Sequence, residues 1–316
     1  MRILITGVHG FVGSNLVKYL APNNTIYGLD IIFPEKEGVE KTFSWDDLGS
    51  GRVPEVDSIV HLAGKAHDTK NQAAADVYFK VNRDLTIKIF DYFCKHPGIK
   101  KFVFFSTAKA AADKVDGVLT EDIVPTPVGP YGESKIAAEQ YILSTMKDQS
   151  DCFVNRAVYI FRPCMIHGPG NKGNLNLLYS VVKKGIPWPL GAFENRRTFT
   201  SIENICFAVN GVITQNVPSG IYNMGDDDAL STNELIEEIC KSLGKKAHIW
   251  KLPKGLMKGV AKVGGWLHLP LNPERLQKLT ESYISSNAKI KRALGVERMP
   301  VDARVGLRST LDTFKD

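Results

Sequence analysis

At 316 residues, 43% of them hydrophobic and 23% charged, the chain has the make-up of an ordinary globular protein, with room for one large core or two modest ones. Its net charge of +6 comes from Lys and Arg scattered along the chain, which argues against a duplex nucleic acid partner and suits an anionic small molecule. Five cysteines, odd in number and far apart, read as reduced thiols of a cytoplasmic protein, and no Cys or His pair has zinc-ligand spacing, so no metal is expected. Met1 leads straight into a strand, leaving no room for a secretory leader, and no apolar run reaches membrane-spanning length.

In chain order, the first element is the apolar run RILIT (2–6), which passes through LITGVHGFVGSNL (4–16) into an amphipathic helix over 12–21. Gly7, Gly10 and Gly13 let the backbone approach a pyrophosphate, which would sit on the helix N-terminus. A second strand, TIYGLD (25–30), ends at Asp30, about 20 residues downstream, where an acid accepts ribose hydroxyls. A carboxylate there repels a 2′-phosphate, so NAD is favoured over NADP. SIVHLA (58–63), a helix over 78–95, KFVFFST (101–107), a helix over 133–147 and AVYIFRP (157–163) follow. Near-continuous apolar strands alternating with helices predict a Rossmann-like, doubly wound parallel sheet of the α/β class. From about residue 164 glycine, proline and asparagine increase and the helices shorten, which predicts a smaller, interleaved C-terminal domain. The division is 1–164 for cofactor binding, with part of 198–216 packing back on it, and 165–316 for substrate.

One hexapeptide, PYGESK (130–135), admits two readings. Pro130 starts a helix, and Tyr131 and Lys135 share a face because residues four apart are neighbours. Alternatively the pair is a proton relay, in which the ammonium pulls the tyrosine pKa down toward working pH. A second stretch, KGLMKGVAKVGGWLH (254–268), mixes lysines with apolar residues. It is either a membrane-surface helix or a cover for the substrate lobe. The cover is preferred, because four glycines weaken helix formation in isolation.

TGxxGFxG at 6–13, HLAG at 61–64, VN at 81–82 and YxxxK at 131–135, in that order, resemble the extended short-chain dehydrogenase/reductase family (NAD-dependent epimerase/dehydratase). Within it the likeness is to nucleotide-sugar epimerases of the UDP-galactose 4-epimerase type, over nearly the whole chain. The resemblance implies an NAD cofactor held by Gly7, Gly10, Phe11, Val12, Gly13, Asp30, Leu62, Ala63, Gly64, Asn82, Tyr131, Lys135 and Pro163. It implies Thr107, Tyr131 and Lys135 as catalytic residues: Thr107 on the sugar oxygen, Tyr131 as base, Lys135 on the nicotinamide ribose. Family dehydratases carry an Asp-Glu pair after the threonine and related decarboxylases a Glu. Ala108 and Lys109 stand there instead, which disfavours both reactions and leaves hydride transfer at C4.

The family's Val-Tyr-Gly is replaced by Ala110, Ala111 and Ala112, in a loop expected to lie near the sugar. Lys65 resembles a lysine near the cofactor, while His61 and His167 read as structural. For a nucleotide-sugar substrate the resemblance implies Asn174 and Leu175 on the diphosphate and Arg197 as a phosphate clamp, with Arg275 as a second. It also implies a homodimer through 78–95 and 133–147, with Val81, Leu85, Ile89 and Phe93 as the apolar stripe. The expected activity is nucleotide-sugar 4-epimerisation. A 4-keto-6-deoxysugar reductase of polysaccharide synthesis is the alternative, and a non-catalytic NAD-binding module the remote one.

Overall fold

In chain order the strands are β1 (Arg2–Thr6), β2 (Thr25–Leu29), β3 (Lys41–Phe43), β4 (Ser58–His61), β5 (Lys101–Phe105), β6 (Val118–Leu119), β7 (Ala157–Pro163), β8 (Met165–His167), β9 (Phe199–Ser201), β10 (Gly220–Met224) and β11 (Ile284–Ser285). They come from a computed structural model that describes residues 1–65, 74–171, 173–266 and 271–315. Seven of them form one parallel sheet in the order β10-β7-β5-β4-β1-β2-β3. Small parallel pairs β6–β11 and β8–β9 lie apart from it.

Strand alternation sorts the sheet's side chains onto two cores. Ile3, Ile5, Val103, Phe105, Tyr159 and Phe161 face one, where α1 (Phe11–Leu20) packs, and Leu4, Phe102, Phe104, Val158 and Ile160 face the other. The second core is covered by α3 (Leu85–Lys95) and α5 (Pro130–Asp148), which follow α2 (Ala75–Tyr78) and the short α4 (Ala108–Ala111). Burial on both faces is why these strands read as unbroken apolar runs.

A third core joins α6 (Asn174–Lys183), α8 (Thr232–Ser242), α9 (Lys254–Trp266), α10 (Pro273–Thr280) and α12 (Ala303–Asp312) around Leu175, Trp188, Phe199, Leu235, Met257, Leu276 and Leu307. The chain returns from this lobe to the sheet. Helix α7 (Ile202–Thr214) and α11 (Ala288–Leu294) pack into the α1 core, and β10 pairs with β7. That return extends past the 198–216 segment read from the sequence. The five-residue GIYNM of β10 carries no long apolar run of its own, and its pairing with β7 is a tertiary choice.

The helix expected over 78–95 is present and starts earlier, at Ala75, but it is not α throughout. Phe79–Asp84 winds as a π-turn between α2 and α3, a feature that is rare and often functional. The expected apolar stripe also divides: Ile89 and Phe93 are fully buried in the chain's own core, while Val81 and Leu85 are only partly buried. Of residues 254–268, Leu267 and His268 lie outside the described residues, as does Lys172 in the 167–174 loop.

Candidate active site

The sheet's connections run outward in both directions from the β1–β4 pair, so a crevice opens at the carboxyl ends of these strands. The candidate residues collect there. Gly7 follows β1 at φ +68, and a Cβ on it would lie 2.9 Å from Ala63 N. A Cβ on Gly13 would collide with Gly7 O and stand 2.9 Å from Val8 C. The loop therefore folds back on itself and on Ala63 only with glycines at these places. Phe11 and Val12 begin α1, whose first turn has no acid and whose N-cap, Gly10, brings no side-chain cap. Such a helix end leaves backbone N–H groups free for an anion. Asp30 accepts His9 N–H at 3.1 Å and Ile31 N–H at 2.7 Å, tying the end of β2 to the glycine loop.

After β4, Leu62 and Ala63 donate their N–H groups to the Thr6 hydroxyl at 3.1 and 3.0 Å. Asn82, set in the π-turn and fully buried, bridges three segments. Its Oδ1 accepts Lys65 N–H at 2.7 Å, and its Nδ2 donates to Lys65 O and to Ser134 Oγ. Gly64 is confined between two of these groups, since a Cβ there would lie 2.9 Å from Asn82 Oδ1 and 3.1 Å from Lys135 Nζ. His61 is buried beneath, 2.6 Å from Thr6 Oγ1 and 2.9 Å from Thr86 Oγ1, and burial, with the Lys135 charge, holds its pKa well below the usual value. Pro163 is buried at the end of β7.

Thr107 ends the β5 segment in extended backbone and caps α4, accepting Lys109 N–H at 3.3 Å. Tyr131 and Lys135 rise from the first turns of α5 onto one face. Lys135 Nζ donates to Phe105 O at 2.8 Å and lies 4.9 Å from the Phe104 ring centroid. Burial lowers its pKa to about 8, against an upward pull from Glu139. Burial pushes the Tyr131 phenol above its ordinary value, a side-chain hydrogen bond with Thr107 opposes that, and Tyr78, edge-on at 6.3 Å, adds to it. The net direction for the Tyr131 phenol is upward, opposite to the pull expected from Lys135, because burial is the largest influence; the Lys135 ammonium itself donates to the Phe105 carbonyl.

Ala108, Ala110, Ala111 and Ala112 are fully buried, so the alanines expected near the sugar serve as packing. Lys109 pairs with Asp113 at 2.6 Å. Two sets of residues escaped sequence reasoning. Tyr283 places its hydroxyl 3.0 Å from Ala108 O and 2.9 Å from Ala112 O, fixing the loop after Thr107. Below the strand end, Ser106 and Arg162 both bond the buried Glu139, Arg162 from Nε and Nη2. A charged residue inside the apolar run YIFRP, and an acid four places after Lys135, were the available signals.

On the second lobe Arg197 is half-buried, its Nη1 donating to Lys278 O at 2.7 Å, while Arg196 is exposed and pairs with Glu234. Burial lowers the Arg197 pKa, offset first by Glu281. Arg275 is exposed on α10, one turn before Lys278. Asn174 opens α6 exposed to solvent, whereas the Leu175 side chain is buried in the third core, so only its backbone can face a ligand.

The profile of the NAD dependent epimerase/dehydratase family matches residues 3–225. A UDP-glucose 4-epimerase of Vibrio cholerae is 31% identical over 79% of this chain and 78% of its own length. The chain belongs to this family. An N-acetyl-α-D-glucosaminyl-diphospho-ditrans,octacis-undecaprenol 4-epimerase of Escherichia coli O157:H7 is 26% identical over 92% of this chain and 85% of its own. In fold the chain is similar to a UDP-glucuronic acid 4-epimerase from Bacillus cereus solved with NAD, at TM-score 0.74 and 20% identity over 100% of this chain and 99% of that one. The relatives include epimerases, dehydratases and reductases, and this family member is an NAD-dependent enzyme of that group. Its glycine loop, confined Gly64 and bare α1 N-terminus fit that cofactor.

Proposed function

We propose that the enzyme is a nucleotide-sugar 4-epimerase acting on a UDP-sugar. The observation that carries this reading is the Thr107–Tyr131 hydrogen bond, with Lys135 buried one turn further on and no carboxylate at 108 or 109. Thr107 orients the C4 hydroxyl, and Tyr131 takes its proton and later returns it. When bound, NAD supplies a carrier for the C4 hydride and, oxidised, a positive charge in the site that favours phenolate. The pyrophosphate rests on Gly7, Gly10, Phe11, Val12 and Gly13, and the adenosine ribose on Asp30. Leu62, Ala63, Gly64, Asn82 and Pro163 border the rest of the cofactor, with Lys135 on the nicotinamide ribose.

The substrate lobe is 165–316 apart from α7, β10 and α11, which serve the cofactor domain. Arg197 clamps the diphosphate bidentately, joined by Arg275, the Asn174 amide and the Leu175 N–H. A sugar on a diphosphate is also common to the names of the two 4-epimerase relatives. Two copies pair through α3 and α5, with Val81 and Leu85 at the contact, and sedimentation at micromolar concentration reads that directly.

The deciding experiment incubates the enzyme with UDP-hexoses and UDP-N-acetylhexosamines without added reductant, and measures NAD(H) retained by the purified protein. C4 epimers and stoichiometric NAD(H) are expected. Turnover that requires added NADH would overturn the epimerase reading in favour of a 4-ketosugar reductase.

A further inference from the structure

Helix α9 carries three kinds of surface. Met257, Ala261 and Gly264 are buried against the third core. Lys254, Lys258 and Lys262, four residues apart, form an exposed charged stripe. A third stripe is apolar and uncovered: Leu256 is 54% exposed, Val260 47%, Val263 54% and Trp266 80%. Nearby, Trp250 is 54% exposed on the segment that leads into the helix. From 239 to 273 the chain has seven lysines (241, 245, 246, 251, 254, 258, 262) and neither Asp nor Glu.

We infer that α9 is a docking element for an anionic lipid bilayer, lying in its interface with Leu256, Val260, Val263 and Trp266 turned into the headgroup–acyl boundary. Apolar residues with a terminal tryptophan on one side, and lysines with no acid among them on another, are what such a surface accepts. Four helix glycines make the free segment a poor helix, but here the third core already holds it folded. The sequence-based alternatives, a cover for the lobe and a membrane-surface helix, thus become two faces of one element. Among the described residues no helix is long and apolar enough to cross a membrane, so contact is peripheral. A second copy of the chain is a poorer occupant, because a two-fold contact sets the same patch against itself and brings lysines against lysines. Nucleic acid would use the lysines but leave the apolar stripe in water.

The test is flotation of the full-length protein with vesicles of phosphatidylcholine, with and without phosphatidylglycerol, at low and high salt. Binding to the anionic vesicles, released by salt, is expected. The triple substitution Lys254→Gln, Lys258→Gln, Lys262→Gln should weaken partitioning roughly 100-fold, about fivefold per lysine. The pair Val263→Ser, Trp266→Ser should weaken it about tenfold. Both variants alter exposed side chains, and an unchanged thermal midpoint verifies their folding. Three results would overturn the inference: no binding to anionic vesicles, binding lost in the charge variant but intact in the apolar one, or dissociation of a dimer by the apolar variant in a protein that ignores vesicles. It stands or falls apart from the reaction proposed above.

Discussion

Lys135→Met separates what the buried ammonium does for the reaction from what it does to the fold. In the folded protein the Lys135 pKa is lowered from 10.5 to about 8, chiefly by burial. At about 1.4 kcal/mol per unit, holding the charge there costs about 3 kcal/mol near neutral pH. The sign follows from the folded value lying below the unfolded one. Below about pH 8 both states are protonated and the full cost is present. Between about 8 and 10.5 the folded state sheds its proton first and the cost recedes, so the wild type gains stability there.

Methionine removes that cost and keeps an apolar stem over the Phe104 ring, but leaves the Phe105 carbonyl without its donor, worth about 1–3 kcal/mol. The variant should therefore be no less stable than wild type near neutral pH in the absence of nucleotide. In urea unfolding, the difference should move in the wild type's favour by about 2 kcal/mol on going from neutral pH to about pH 10. Turnover should collapse and NAD affinity should fall, since Lys135 is proposed to serve both ribose and phenol. A variant several kcal/mol less stable, with a difference that ignores pH, would show Lys135 to be a structural cation whose burial carries no such cost. A residue that costs stability and is kept for function is a common pattern at active sites.

Tyr131→Phe should lower kcat by about 10²–10⁴-fold and leave NAD affinity in place; near-wild-type turnover would leave PYGESK as a helix start and nothing more. Gly13→Ala drives a methyl into Gly7 O and the Val8 backbone, so a loss of about 1–3 kcal/mol together with NAD binding is expected, read by thermal shift with and without NAD. Gly259→Ala, in a helix with nothing within 4 Å of the new Cβ, should instead stabilise by about 0.5–1 kcal/mol. Tyr283→Phe removes the hydroxyl that meets the carbonyls of Ala108 and Ala112, at about 1–2 kcal/mol, and should raise the substrate KM while NAD affinity holds, measured by steady-state kinetics and titration.

What the chain discloses before folding depends on how local its causes are. RILIT and AVYIFRP were legible to the residue, because a strand covered on both faces is a continuous apolar run in any sequence. The glycine loop and the Tyr131–Lys135 spacing were legible for the same reason, a backbone approach and a helix turn each being fixed within a few residues. Tyr283 was not: its hydroxyl meets Ala108 and Ala112 from 175 and 171 residues away, and nothing near YIS announces it. The net direction of the Tyr131 pKa was illegible on similar grounds. Spacing on α5 puts Lys135 beside Tyr131, but its partner, Phe105 O, comes from a strand 30 residues earlier, and burial by the surrounding fold is what raises the phenol's pKa. Helix α9 shows a third limit. Its pattern tells that one side is apolar and one charged, yet only packing against the third core decides how much of the apolar side is spoken for. The exposed remainder, from Leu256 to Trp266, exists because that core covers three positions of the helix and stops.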